Sequence, residues 1–327
     1  MKVSFTICSA NYLPYAKSLG DSLIKYNSDH SFIIILLDKG SEDYNSFAVP
    51  HQIINVEDMQ LELFEEMNDR YDIFELSCAL KSFVADYIFR NFSHCELLFY
   101  FDADVLVYNN LENAEMLLSN HSILITPHLV TSNDFENRIE IEKMVFRAGT
   151  FNAGFFGLRK CDETQSFLEW WMLNMRTHCY KDSFTSLFDD QIWLNFVPVY
   201  FKNAIISTNL GYNAAYWNMG ERKISFKNGQ YFINENIPMV FFHFSGHDFN
   251  NELLLSKYFP RYTVNSLPEC RPLFEEYKQR VINNELELFS AIKPAFGLAN
   301  PLKRPALPLV REKNFFKRKY KKWFKNK

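Results

Sequence analysis

The chain has 327 residues, with 35 Lys and Arg against 39 Asp and Glu for a formal charge of −4, and is 47% hydrophobic. That composition supports a sizeable core and excludes a wholly disordered chain, and the near-balanced charge gives no footprint for nucleic acid, so no nucleic-acid partner is expected. Only 10 glycines occur, and neither G-x-G-x-x-G nor G-x-x-x-x-G-K-[ST] is present, so a bound nucleotide would need its phosphates held without a glycine-rich loop.

No apolar run reaches the roughly 18 residues of a membrane span. Met1–Cys8 is too short for a signal-peptide core and reads as a first strand over Val3–Cys8. Leu13, Ala16, Leu19, Leu23 and Ile24 recur at helical spacing within Tyr12–Tyr26, and Phe32–Leu37 is a continuous apolar strand closed by Asp38-Lys39-Gly40. Phe74–Phe89 is again helical, and Leu97–Phe101 is a third apolar strand that runs directly into Asp102-Ala103-Asp104. Ser122–Thr126 and Phe155–Leu158 read as strands, Glu163–Arg176 and Asp182–Asn195 as helices, and Met239–Phe244 as a short strand containing His243. Alternating strands and helices predict an α/β fold with a mainly parallel sheet and flanking helices. Ligands of such sheets sit outside the carboxyl ends of the strands, where Asp102 and Asp104 fall. The six cysteines are scattered, contain no C-x-x-C and read as buried free thiols of a reducing compartment.

Four prolines within Lys293–Pro308 mark an extended linker. The expected organisation is a catalytic domain over 1–292, a Pro-rich linker over 293–310 and a basic aromatic tail over 311–327. The tail has nine Lys and Arg and one acid, a net of +8, which leaves −12 on residues 1–310. On a helix, Phe315, Phe316, Tyr320, Trp323 and Phe324 share one half and most cations the other, the pattern of an amphipathic helix on an anionic membrane surface. An RNA-binding or solvated tail is the weaker reading, because five aromatics in seventeen residues are too many for solvation alone.

The strongest chemical signal is Phe99-Tyr100-Phe101-Asp102-Ala103-Asp104-Val105-Leu106-Val107. Two carboxylates in an apolar run are expensive to bury unless something neutralises them, and a hard divalent cation shared with phosphate oxygens does so. His243, in Val240-Phe241-Phe242-His243-Phe244-Ser245-Gly246-His247, is either a hydrogen-bonded core histidine or a third ligand, a combination suited to Mn²⁺.

These runs resemble the GT-A-type nucleotide-sugar glycosyltransferases, closest in pattern to family 8, the glycogenin and bacterial lipopolysaccharide galactosyltransferase type. That family runs Asp-x-Asp, an Asn-x-Gly strand, an Asp-Gln helix start and a late His-x-x-Gly. Here Asp102-Ala103-Asp104, Asn152-Ala153-Gly154, Asp190-Gln191 and His243-Phe244-Ser245-Gly246 keep that order across residues 3–247. The resemblance implies a GT-A-like, Rossmann-like fold, with Asp102, Asp104 and His243 binding Mn²⁺ or Mg²⁺ against a diphosphate. It implies a nucleoside against Ala10, Asn11 and Tyr12, with Asp38 helping, and Lys81 facing the donor unless it is a solvated helix lysine. Asn152, Asp190 and Gln191 would surround the donor sugar, Asp190 or Gln191 on its β face, and neighbouring Asp189 leaves that choice open. The family follows His-x-x-Gly with Lys-Pro-Trp, whereas Gly246 here precedes His247-Asp248-Phe249-Asn250. His247 is then the candidate phosphate donor, or the metal ligand in place of His243. Gly211–Asn218, aromatic and amide-rich, suits either sugar recognition or a packed loop.

The expected function is transfer from a nucleotide-sugar, with UDP-sugars favoured, to a glycan or glycolipid acceptor, with retention, by a cytoplasmic enzyme held at the inner membrane face by 311–327. The alternatives are an aspartate-based phosphatase or phosphotransferase using Asp102 and Asp104, and a non-catalytic carbohydrate binder on a transferase fold.

Overall fold

The computed structural model describes residues 1–182 and 185–299, so the tail over 311–327 lies outside the described residues. In chain order the elements are β1 (Lys2–Cys8), α1 (Leu13–Tyr26), β2 (His30–Leu36), α2 (Glu42–Ala48), β3 (Gln52–Asn55), α3 (Phe64–Arg70), α4 (Ile73–Asn91), β4 (Leu97–Phe101), β5 (Val105–Val107), α5 (Glu112–Asn120), β6 (Ile123–Pro127), α6 (Arg138–Ala148), β7 (Phe151–Arg159) and α7 (Asp162–His178). A small hairpin of β8 (Lys181–Asp182) and β9 (Leu187–Phe188) comes next, then α8 (Val197–Tyr200), β10 (Ala204–Ile206), β11 (Ala214–Ala215) and a meander of β12 (Ile224–Lys227), β13 (Gln230–Ile233) and β14 (Ile237–Pro238). The last elements are β15 (Phe241–His243), α9 (Arg271–Asn283) and α10 (Leu286–Ser290).

The central sheet has seven strands in the order β10-β6-β7-β4-β1-β2-β3. Strands β4, β1, β2 and β3 run parallel, as does the β10–β6 pair, and β7 lies antiparallel between β4 and β6. This is the mixed, mainly parallel α/β sheet expected from the sequence. Both of its faces are covered, which is why its strands read as unbroken apolar runs. Phe5, Ile33, Ile35, Leu98, Tyr100 and Phe156 pack on one face with Leu76, Leu80 and Val84 of α4 and Trp171 of α7. Ile34, Leu36, Phe99, Phe101 and Phe155 pack on the other with Leu19 and Leu23 of α1 and Leu118 of α5.

One expected helix is absent. Asp182–Asn195 turns through the β8–β9 hairpin and a 3-10 segment over Gln191–Phe196. Ser186 and Asp189 adopt positive φ values of 60° and 48°, which an α-helix does not admit. Burial of Asp189 and Asp190 beside the site outweighs the local helical pattern.

The antiparallel course of β7 brings an Asn-x-Gly segment to the end of β4. The first residues of β7 lie at the same sheet edge as the last residues of β4, with Phe155 opposite Phe101 and the Asp102 amide donating to the Gly154 carbonyl at 2.8 Å. There β4 ends, and β5 departs into a second sheet of order β11-β15-β5, in which Val105 lies opposite His243. The turn between the two sheets is Asp102-Ala103-Asp104. Residues 293–299 return along the same edge: Phe296 packs against Phe64, and the backbone of Leu298 bridges to Asp72. All six cysteines are free. Among the described residues no helix is long and apolar enough to cross a membrane.

Candidate active site

The bend at Asp102–Asp104 brings two carboxylates against His243. The Phe244 amide donates to the Asp104 carbonyl at 2.8 Å, which fixes the approach of β15. His243 Nε2 then lies 3.0 Å from Asp104 Oδ1 and 3.7 Å from Asp102 Oδ2. One donor atom from each of the three residues falls within 4.8 Å of the others, an oxygen, oxygen and nitrogen set that could hold a divalent cation. His243 is buried, and its Nδ1 has no hydrogen-bond partner among the described residues, while Trp217 meets the ring edge-on at 5.3 Å. Burial opposes its charged form, but Asp104 and then Asp102 hold the imidazole pKa above its ordinary value.

Gly154 is required at the floor of this triad. A Cβ there would stand 2.4 Å from His243 Cε1 and 2.8 Å from Asp102 Oδ2. The glycine is a matter of clearance, not of backbone freedom.

Lys81 is not a solvated lysine. It is 3% exposed, and its ammonium lies 3.2 Å from Asp102 Oδ1 and 3.0 Å from Asp190 Oδ2 while donating to the Ala153 carbonyl at 3.1 Å. Burial alone would neutralise it, but Asp102 and Asp190 hold its pKa well above the usual value. Tyr100 also donates to Asp102 Oδ1 at 2.7 Å. Burial raises the Asp102 pKa, but Lys81, His243 and Tyr100 together leave it below the ordinary carboxylate value. Helix α4 presents Lys81 from a well-fixed start, where Asp72 and Glu75 form a reciprocal capping box.

Asn152, Asp190 and Gln191 gather around the same edge. Asn152 Nδ2 donates to Gln191 Oε1 at 3.2 Å and lies 3.4 Å from His128 Nε2, while its Oδ1 accepts from the Gly154 amide at 3.0 Å and from Asn213 Nδ2 at 3.0 Å. Gln191 Nε2 donates to the Ala148 carbonyl at 3.0 Å. His128 is buried, and that burial depresses its pKa to about 4, so its neutral ring receives the Asn152 amide. Asp189 is also buried, and burial followed by the charge of Asp190 raises its pKa to about 8. Asp190 is raised in the same direction, by burial first.

Ala10, Asn11 and Tyr12 form a single 3-10 turn at the end of β1. Asp38 ties this turn down, its Oδ2 accepting the Ala10 amide at 3.2 Å. Tyr12 stacks on Tyr15, with centroids 4.9 Å apart, and Tyr15 lies parallel to Phe249 at 6.0 Å. Burial, and then the negative charge of Asp104, raise the phenol pKa values of Tyr12, Tyr258 and Tyr277.

His247 does not join the triad. Its Nδ1–H donates to the Leu254 carbonyl at 3.1 Å, and the residue lines an open cavity of about 970 Å³ with Tyr12, Tyr15, Phe249 and Lys257. Lys257 escapes a reading by sequence spacing because it lies eleven positions beyond Gly246. Its amide nevertheless donates to the Gly246 carbonyl at 2.9 Å, so a lysine stands beside Gly246 in space. His128 also escapes that reading. Within Gly211–Asn218 the packed-loop alternative holds: Asn213 and Asn218 are fully buried and bonded internally, Asn218 to the carbonyls of His128 and Asn213.

No family model matches the chain. It is 24% identical over 290 residues to the uncharacterized protein YfnF of Bacillus subtilis (strain 168), covering 85% of this chain and 92% of that one. It is 27% identical over 158 residues to YfnD of the same organism, covering 47% of this chain and 46% of that one. Among solved structures, it superposes on the galactosyltransferase LgtC in complex with donor and acceptor sugar analogs with a TM-score of 0.52 at 13% identity, over 86% of this chain and 96% of that one. It superposes on the bifunctional glycosyltransferase WbbM with a TM-score of 0.51 at 13% identity, over 88% of this chain and half of that one. The fold is GT-A-like. At this level of identity the likeness carries the fold and not an activity.

Proposed function

We propose that this protein is a metal-dependent glycosyltransferase that moves a sugar from a nucleotide-sugar, with a UDP-sugar favoured, to a glycan or glycolipid acceptor. The observation that carries the reading is the convergence of Asp102, Asp104 and His243 on one another, with Lys81 linking Asp102 to Asp190. In this reading the three residues hold Mn²⁺ or Mg²⁺. When bound, the ion supplies the positive charge that stabilises a departing nucleoside diphosphate.

The chain's own residues do the rest. Tyr12 offers a ring face to a base or ribose from the turn fixed by Asp38. Lys257 lines the cavity beside Gly246 and donates to phosphate oxygens; His247 lines it too, and with Nδ1–H given to the Leu254 carbonyl it donates from Nε2 only in its charged form. Lys257 takes the place of the family's lysine after His-x-x-Gly, which is absent from the local sequence. Lys81 orients Asp190 beside the donor sugar. Gln191, which keeps one Nε2–H and one Oε1 lone pair free, hydrogen-bonds the sugar's hydroxyls, while Asn152, with its own amide fully engaged, positions Gln191. Gln191 or Asp190 stands on the β face, in keeping with retention. The phosphatase alternative is not favoured, because Asp104 is engaged by His243 at 3.0 Å and is not free to protonate a leaving group. Association of 311–327 with an anionic inner-membrane surface, and a cytoplasmic location, belong to the same proposal and rest on the basic aromatic composition of that segment.

The test is a thermal-shift panel of UDP, GDP, CDP and their sugars with and without Mn²⁺. Stabilisation by UDP that requires the metal is expected, and Asp104→Asn should abolish both that shift and transfer. Absence of response to every nucleotide would refute the proposal.

A further inference from the structure

Asp38 is nearly fully buried, and a buried carboxylate needs donors. It has three, all backbone amides from separate parts of the chain. Oδ2 accepts from Ala10, and Oδ1 accepts from Lys39 at 2.9 Å and from Ala295 at 3.0 Å. The first belongs to the turn that carries Tyr12. The last belongs to the segment beyond α10.

That segment is seated at further points. The Gly297 amide donates to Asn68 Oδ1 at 2.8 Å, Phe296 meets Phe64 edge-on at 5.2 Å, and Leu298 bridges to Asp72, the N-cap of α4. Gly297 has φ of +67°, and a Cβ on it would stand 2.4 Å from the Ile73 Cα. Only glycine passes there. Residues 295–298 therefore run from the carboxylate that ties the Tyr12 turn to the start of the helix that carries Lys81.

We propose that residues 293–298 form a strap whose seating is coupled to binding of a nucleoside diphosphate. The strap supplies the third donor to Asp38 and so holds the Ala10–Tyr12 turn in its ligand-receiving shape. This rests on the reading of that turn as the nucleoside site. Coupling is reciprocal: a ligand that needs the turn in this shape also tightens the strap.

The experiment uses the full chain, with UDP and Mn²⁺ as probes. Gly297→Val prevents seating by steric exclusion, Ala295→Pro removes the amide that Asp38 accepts, and Asn68→Ala removes one anchor without touching the backbone. Calorimetry should give a UDP dissociation constant raised about 10-fold in the first two variants, within the usual range of coupling between sites, and raised less in the third. Hydrogen exchange at residues 295 and 297 should slow on addition of UDP and Mn²⁺ in the wild type, an effect that a merely structural strap would not display. Should Gly297→Val fail to fold, Asn68→Ala and the wild-type exchange still decide. Unchanged UDP affinity in the folded variants, or exchange indifferent to UDP in a wild type that binds it, overturns the strap. A wild type that binds no nucleoside diphosphate overturns the reading of the site itself.

Discussion

Replacing Gly154 with alanine tests the triad without removing any of its three side chains. The added methyl would lie 2.4 Å from His243 Cε1, where carbon atoms rest at about 3.5–4.0 Å, an overlap of more than about 1 Å. A backbone shift here is resisted by two bonds: the Gly154 carbonyl receives the Asp102 amide, and its own amide is bonded to Asn152 Oδ1. The imidazole, and with it the Asp102 and Asn152 side chains at 2.8 Å, must therefore shift from their present geometry. Over-packing of this kind costs about 1–3 kcal/mol, a drop of a few degrees in melting temperature for a domain of this size. Displacing a ligand while leaving its identity intact is expected to weaken metal binding about 10- to 100-fold, as loss of a ligand's supporting contact does. Mn²⁺ titration followed by the paramagnetic resonance of the free ion, beside a thermal melt, reads both quantities. A Gly154→Ala protein that binds Mn²⁺ with wild-type affinity would refute the assignment of His243 to the metal.

Three further outcomes are expected. Lys81→Met leaves Asp102 and Asp190 facing each other without their shared cation, and urea unfolding should register a loss of about 3–5 kcal/mol. Asp189 is protonated in the fold up to about pH 8, whereas in the unfolded chain it ionises near pH 4. Its contribution is therefore full below about pH 4 and lost as pH rises through 8, with a ceiling of about 5 kcal/mol. Asp189→Asn, which also tolerates the positive φ, should melt higher than wild type at pH 8.5 and no higher at pH 4; equal pH dependence in the two proteins would count against a neutral buried carboxyl. Asp72→Ala breaks the capping box of α4 and should cost about 1 kcal/mol by chemical denaturation, with the helix otherwise retained.

The parts of the fold that were legible in the sequence are those set by local periodicity. The runs Phe32–Leu37 and Leu97–Phe101 are unbroken because both faces of their strands are covered, and the spacing of α1, α4 and α7 matches their buried stripes. The direction of β7 was not legible, since a strand's apolar pattern reads the same whichever way it runs. Asp182–Asn195 misled because its spacing suits a helix while its carboxylates are drawn to a buried site. Asp102, Asp104 and His243 stood out as polar residues in apolar runs. Lys81 was ambiguous, because a buried lysine and a solvated one look alike until their partners are known, and Asp102 and Asp190 are 21 and 109 positions away. Lys257 and His128 come to the site only through the chain's folding, which no spacing rule encodes.

The ammonium of Lys81 has a further consequence. Many small metal sites are assembled by their ion, and the chain around them collapses when it is withdrawn. Here the cluster of acids has a resident cation built into the polypeptide, the Lys81 ammonium paired with Asp102 and Asp190. A divalent ion at Asp102, Asp104 and His243 would thus be a visitor to a finished cavity and not its keystone. On the proposed reading such an ion would exchange while the protein keeps its shape, and a chelator should silence the site without unfolding it.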